Sequence, residues 1–171
     1  MLRQENRGTV TNMNTGKTIT FSKASTTAQF EKGKQLFLAY IQSLNFALTF
    51  QDVDRELAEI AVEYNTPTGA LLLAFDNDKA IACAGVRRID ATTAELKRMF
   101  VDPNYRGLQL GQQILQKALD AATQLGYKYI RLDTVPHMHA AIKLYKTAGF
   151  YEIEPYRFNP IEGAIYMEKE L

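Results

Sequence analysis

The sequence predicts a mixed α/β fold, on three observations. Residues 69–89 read as two apolar segments around the turn Asp76-Asn77-Asp78, a hairpin signature. Residues 94–134 read as strand, long amphipathic helix and strand, an order that makes a right-handed parallel crossover. No internal repeat, low-complexity tract or Pro/Gly-rich linker divides the 171 residues. A single domain over 1–171 is therefore expected, with 1–17 as a flexible tail or marginal hairpin.

The elements follow in order. Up to Lys17 the chain carries few apolar residues, whereas Thr18–Lys23 (TITFSK) alternates and is β-branched, a first strand. From Thr27 to Leu44, the residues Phe30, Leu36, Phe37, Tyr40 and Ile41 recur at helical spacing, and the loop LNFALTF follows. Asp52–Tyr64 (DVDRELAEIAVEY) reads as a second helix with Val53, Leu57, Ile60 and Ala61 on one face. Asn65–Gly69, with Pro67, is a turn. The strands GALLLAF and AIACAGVRRI come next, and a third, Ala94–Val101, ends at Asp102-Pro103-Asn104. A helix from Gln109 to Leu125 turns Leu110, Ile114, Ala118, Leu119, Ala122 and Leu125 inward, and Gly126 stops it. Tyr127–Thr134 (YKYIRLDT) is a strand, Ala140–Ala148 a short helix ended by Gly149. Phe150–Pro155 and Ala164–Leu171 are the last strands.

Composition narrows the function classes. With 46% hydrophobic and 23% charged residues the chain has the makings of a core, which argues against disorder. Lys and Arg number 20 against 19 Asp and Glu, so no basic surface for nucleic acid is expected. The single cysteine, Cys83, rules out an internal disulfide framework and reads as a small core residue in an apolar strand. No apolar run approaches the length a bilayer requires, and the polar start MLRQENRGTVTNMNTGK lacks a secretory core. A cytoplasmic enzyme without a membrane partner is the expectation.

The chemistry concentrates in ELKRMFVDPNYRGLQLGQQIL. A strand runs into a tight loop with Gly107 and Gly111, then directly into a helix. Such a junction aims several backbone N–H groups at one spot, with the positive end of the helix dipole behind them. Glycine lets a phosphate approach the backbone, so the turn is a candidate anion site; a turn shaped by glycine geometry alone is the other reading. No Gly-Lys-Ser/Thr follows, which excludes a nucleoside triphosphate loop. Asp133 closes the next strand as a dinucleotide site would need, but only two glycines are present and the flanking order is wrong.

Here the sequence resembles a known family. Arg106-x-x-Gln109-x-Gly111, within YRGLQLG, is similar to the Arg/Gln-x-x-Gly-x-Gly/Ala signature of the GNAT superfamily of N-acetyltransferases. Ala141-Ile142-Lys143-Leu144-Tyr145, running into Lys146-Thr147-Ala148-Gly149-Phe150, matches that family's A-I-x-L-Y-x-x-x-G-F segment. The strong match covers about 94–152. Two positions depart from it: Gln109 replaces the first glycine, and Met138 stands where many members have an asparagine that contacts the cofactor. A glutamine keeps its N–H in place at negative φ, so the loop is expected to hold.

The resemblance implies a mixed, mostly antiparallel central sheet with helices on both faces. It also implies acetyl-CoA as co-substrate, with direct transfer to a primary amine in a ternary complex and no metal. Backbone amides of Arg106, Gly107, Leu108, Gln109, Leu110 and Gly111 would hold the pyrophosphate, with Gln112 at the helix start. Met99, Phe100 and Val101 would pair with the pantetheine arm, on a strand that splays from Tyr127–Thr134. Tyr145 matches the tyrosine that protonates the departing thiolate, a role a phenol can perform; a buried aromatic is the alternative. A strand N–H can stabilise the oxyanion.

An attacking amine must be neutral, so a base or water relay is needed. Glu95, where some members carry a catalytic glutamate, is the first candidate; an exposed carboxylate paired with Lys97 or Arg98 is the alternative. Asp133, His137 and His139 are in reserve, and Asp133 could instead bind a cationic substrate. Phe46, Phe50, Tyr156 and Phe158 suggest an aromatic acceptor wall. A small-molecule amine or amino acid is the expected acceptor. The alternatives are a protein or peptide amine, or a non-catalytic acyl-CoA-binding module. A homodimer is open, since dimers are common in the family.

Overall fold

The computed structural model describes residues 8–12, 17–48 and 52–171. Among the described residues eight strands form one sheet: β1 (Gly8–Asn12), β2 (Lys17–Lys23), β3 (Ala70–Asp76), β4 (Lys79–Arg88), β5 (Thr93–Val101), β6 (Tyr129–Thr134), β7 (Tyr151–Ile153) and β8 (Ile165–Glu170). Their order across it is β1-β2-β3-β4-β5-β6-β8-β7. The pair β5–β6 is parallel, and the other six adjacent pairs are antiparallel. This is the mixed, mostly antiparallel sheet that was expected.

Period-two alternation puts a helical layer on each face. Along β3, Ala70, Leu72 and Ala74 join the core under α4 (Leu110–Gln124), with its Ile114, Ala118 and Ala122. Leu71 and Leu73 face the other way, into a core with Phe30 and Phe37 of α1 (Thr27–Gln42). α1 begins with a capping box: the Thr26 hydroxyl accepts from the Gln29 amide, and the Gln29 side chain accepts from the Thr26 amide. α5 (His139–Thr147) seats Tyr145 in the α4 core, its ring 5.7 Å from that of Phe150.

Beyond shifts of one or two residues at element ends (α1 stops at Gln42, β7 at Ile153), two expectations differ from the structure. The stretch 52–64 is two helices, α2 (Val53–Ala58) and α3 (Ile60–Glu63), parted at Glu59, whose backbone leaves helical geometry. The break re-aims the second half: Ile60 and Tyr64 are buried while Ala61 and Val62 face outward. The first two residues of the expected strand Tyr127–Thr134 also fall outside β6; Tyr127 is buried, and its hydroxyl donates to the Thr68 carbonyl at 2.7 Å.

The departures from regularity in the middle of the sheet position the site. β5 and β6 pair only at Thr93–Tyr129, Ala94–Ile130 and Glu95–Arg131, although both strands continue beyond. On its other side β5 pairs with β4 through Lys97–Gly85 and Phe100–Cys83, so Arg98 and Met99 together face the single residue Ala84. That is a β-bulge, and Arg98 takes the left-handed conformation, with φ +54°.

Candidate active site

Where β5 and β6 part, a cleft of about 90 Å³ opens through the sheet. Strand β5 gives it Lys97, Arg98 and Met99; β6 and the turn after it give Asp133, Thr134 and Met138; α5 gives Tyr145. Leu44, Phe46 and Leu48, from the loop after α1, close one side. Of the residues expected at the reaction centre, Met99, Asp133 and Tyr145 line this cleft, from three separate elements, and Glu95 does not.

The candidate anion loop lies at the α4 end of β5. A 3-10 turn, Pro103–Tyr105, leads into Arg106–Gln109, and α4 starts at Leu110. Among the described residues no side chain caps that start. Gln109 does not keep the negative φ that was expected of it. It sits at φ +57°, ψ +20°, the left-handed region that a glycine enters without cost. The loop therefore takes a glycine-like shape with a glutamine in it, and the helix start stays open. A Cβ added at Gly107 would meet nothing within 4 Å, and one at Gly111 only Leu144 at 3.5 Å, so the space over the loop is clear. An elongated anion at a helix N-terminus fits that surface.

Tyr145 is buried, and burial raises the pKa of its phenol, with smaller contributions from Tyr40 and Asp133. It therefore keeps its proton across the neutral range. Asp133 faces the cleft from β6, where the Asn159 amide donates to its Oδ2 at 2.9 Å and Arg157 lies 3.8 Å from Oδ1. His137 and His139 are exposed; the His137 ring meets Phe46 edge-on at 6.2 Å.

Glu95 lies in an ion-pair cage. It is 3% exposed; Arg87 Nε donates to Oε2 at 2.9 Å, Arg157 Nη1 to Oε1 at 2.6 Å, and the Tyr156 hydroxyl to Oε1 at 3.1 Å. Burial, the largest effect, pushes its carboxyl up. Lys97, Arg87 and Arg157 outweigh that and hold it below the ordinary value. Its side chain borders a neighbouring cavity of about 520 Å³ with Glu63, Arg87, Tyr156 and Arg157. Lys97, two residues along the same face of β5, borders the cleft itself and is 7% exposed. Burial, seconded by Arg87 and Arg98 against the pull of Glu95 and Glu56, brings its ammonium down to about 7.

The expected acceptor wall is placed in part. Phe46 lines the cleft, Tyr156 borders the neighbouring cavity, and Phe158 is 74% exposed and lines neither. Phe50 lies outside the described residues. Cys83 is fully buried, as expected of a core residue; burial pushes its thiol up, and its Sγ lies 3.3 Å from the Arg98 carbonyl oxygen. Arg157 and Glu56 were not singled out from the sequence, and Lys97 was named only as an ion-pair partner for Glu95. Lys97 shares strand parity with Glu95, a signal present in the pattern, whereas Arg157 and Glu56 carry no local signature.

Residues 37–150 match the family described as acetyltransferase (GNAT). The chain is 38% identical over 140 residues to an uncharacterised N-acetyltransferase of Schizosaccharomyces pombe, covering 81% of this chain and 86% of that protein. Among solved structures, an acetyltransferase from Streptococcus agalactiae superposes with a TM-score of 0.74 at 23% identity, over 90% of this chain and 98% of the other. A structure from Salmonella typhimurium with its cofactor acetyl-CoA gives a TM-score of 0.68 at 18% identity, over 89% and 93%. These two likenesses show the fold.

Proposed function

The chain belongs to the acetyltransferase (GNAT) family, an acetyl-CoA-dependent acyltransferase, and from that premise we propose that it acetylates the primary amine of a small molecule by direct attack. The observation that carries this reading is the parting of β5 from β6 with Tyr145 and Asp133 on the walls of the gap. The small acceptor is supported by the narrowness of the cleft. It is supported too by the segment 154–164, which is fastened over the sheet through Arg157, Tyr156 and Asn159. A small cleft suits a metabolite better than an extended peptide.

Acetyl-CoA supplies the acetyl group as a thioester, from which an amine nitrogen displaces the thiolate. The amides from Arg106 to Gln112 hold its pyrophosphate, and Met99, Phe100 and Val101 border its arm. Asp133 receives the acceptor as an ammonium and orients it. Lys97, on the cleft wall and with its neutral form populated near pH 7, takes the proton that makes the amine nucleophilic. Glu95, held anionic by three hydrogen-bond donors, anchors Arg157 and Tyr156 and so shapes the acceptor side. Tyr145, protonated by virtue of its burial, gives its proton to the departing sulfur.

Isothermal titration with acetyl-CoA tests the premise of binding. Micromolar affinity in the wild type, lost in Gly111→Trp, supports the loop assignment, because the indole fills space that is open over Gly111. Thiol release across a panel of small amines and amino acids then tests the acceptor class. Turnover confined to peptide amines would remove the small-molecule reading.

A further inference from the structure

Resting on the acetyltransferase reading, we propose that the buried Glu56–Arg98 pair, braced by Tyr64, sets the bulge of β5, and that Glu56 and Tyr64 are thereby positioning residues for acyl transfer.

The bulge needs an explanation of its own. Arg98 is not a glycine, yet it holds φ +54° inside a strand, a conformation that is strained for a residue with a Cβ. Something must over-determine it. The Arg98 side chain runs from β5 to α2, 42 residues away in sequence. There Nη2 donates to Glu56 Oε2 at 2.6 Å, and Nε lies 3.2 and 3.3 Å from the two carboxylate oxygens. The fork-on-fork geometry fixes direction as well as distance. The Tyr64 hydroxyl donates to Glu56 Oε1.

The surroundings are shaped to this network. The Tyr64 ring packs against β4 at Gly85, where an added Cβ would collide with it, and Phe37 meets the ring edge-on at 5.2 Å. Both members of the pair are buried, with side chains 3% and 5% exposed. Burying two charges gains little stability over a well-packed apolar pair. What the ion pair adds is orientation, and the residue it orients is the one that departs from strand geometry at the cleft.

The consequence falls on the reaction centre. Arg98 and Met99 both line the cleft, at the point where the ladder with β4 steps by one residue. Backbone amides at such a step are available to a developing oxyanion only if the bulge keeps its shape.

The test is isotope-edited infrared spectroscopy of [1-13C]acetyl-CoA bound to the purified protein, with affinity measured by titration on the same samples. A hydrogen-bond donor to the carbonyl lowers its stretching frequency. In the wild type a downshift is expected on binding. Glu56→Gln loses more than half of it while the dissociation constant stays within about fivefold, and Tyr64→Phe loses a smaller part. A merely structural role would lower stability and leave the frequency alone. Because Glu56→Gln can fail to fold, the double variant Glu56→Met/Arg98→Gly decides the matter. It removes both buried charges and lets residue 98 adopt positive φ without a pin, so recovery of most of the downshift is expected. A folded Glu56→Gln with the wild-type frequency overturns the proposal, as does a double variant that binds with no downshift. Absence of acetyl-CoA binding by the wild type would overturn the cofactor reading instead, and is recognised in the titration before any spectrum is taken.

Discussion

At the scale of single residues, the chemistry divides by what burial does to each proton. Tyr145 is buried and keeps its proton; Lys97 is buried and sheds it near neutrality; Glu95 is buried but held anionic by its donors. Tyr145→Phe removes the phenol proton and nothing of the ring's packing. It should lower kcat by about 10²-fold, the usual contribution of a positioned acid, with acetyl-CoA affinity within about threefold of wild type. An unchanged kcat would return Tyr145 to the role of core aromatic. The proton acceptor is separated by the pH dependence of kcat/KM. If Lys97 accepts the proton, activity falls below about pH 7 in the wild type, and that limb disappears in Lys97→Met together with about 10²-fold of the rate. Glu95→Gln should keep the limb. A limb lost in Glu95→Gln and retained in Lys97→Met would reverse the assignment.

At the scale of elements, the loop before α4 offers a sharper experiment, because Gln109 occupies a glycine's conformation. Gln109→Gly should stabilise the protein by up to ~1 kcal/mol, raising the thermal midpoint by about 2–4 °C, and leave acetyl-CoA affinity unchanged. Loss of affinity would mean that the glutamine side chain, and not only its amide, serves the site. The same loop shows what a sequence reveals. Its place between β5 and α4 was legible from the strand pattern, the two glycines and the periodicity of α4, since each is encoded within a few residues. The parallel crossover and the hairpin β3–β4 were legible for that reason too. The bulge was not, because nothing in ELKRMFV marks Arg98 as the residue that turns; its partner Glu56 lies on another element. The division of 52–64 was missed on similar grounds, since that segment is helical by periodicity, and the contact of Tyr64 with Glu56 spans the break at Glu59. The cage around Glu95 draws Arg87, Tyr156 and Arg157 from β4 and from a loop some sixty residues later. Local pattern names the strand that carries Glu95 but not the donors that control it.

At the scale of the whole molecule, these buried groups make stability depend on pH in a direction set by their shifts. Lys97 binds its proton at about 7 in the folded chain and at its ordinary 10.5 when unfolded. Across that window the unfolded state holds more protons, so stability rises with pH. The carboxyls of Glu56 and Glu95 are likewise lowered, below their ordinary 4.5. Their contribution is complete above that value and is lost as pH falls through the folded values. Tyr64, Tyr145 and Tyr156 are raised, by burial first, so above about pH 10 the unfolded chain gives up phenol protons that the folded chain retains, and stability declines again. The maximum should therefore lie near pH 9, above the range in which most proteins are most stable. The urea midpoint of the wild type should rise between about pH 6.5 and pH 9, and Lys97→Met should flatten that rise while keeping the acid and alkaline declines. A midpoint flat across the window in the wild type would mean that Lys97 stays charged in the folded protein. The neutral amine on the cleft wall, and its part in taking the acceptor's proton, would then have to be given up together.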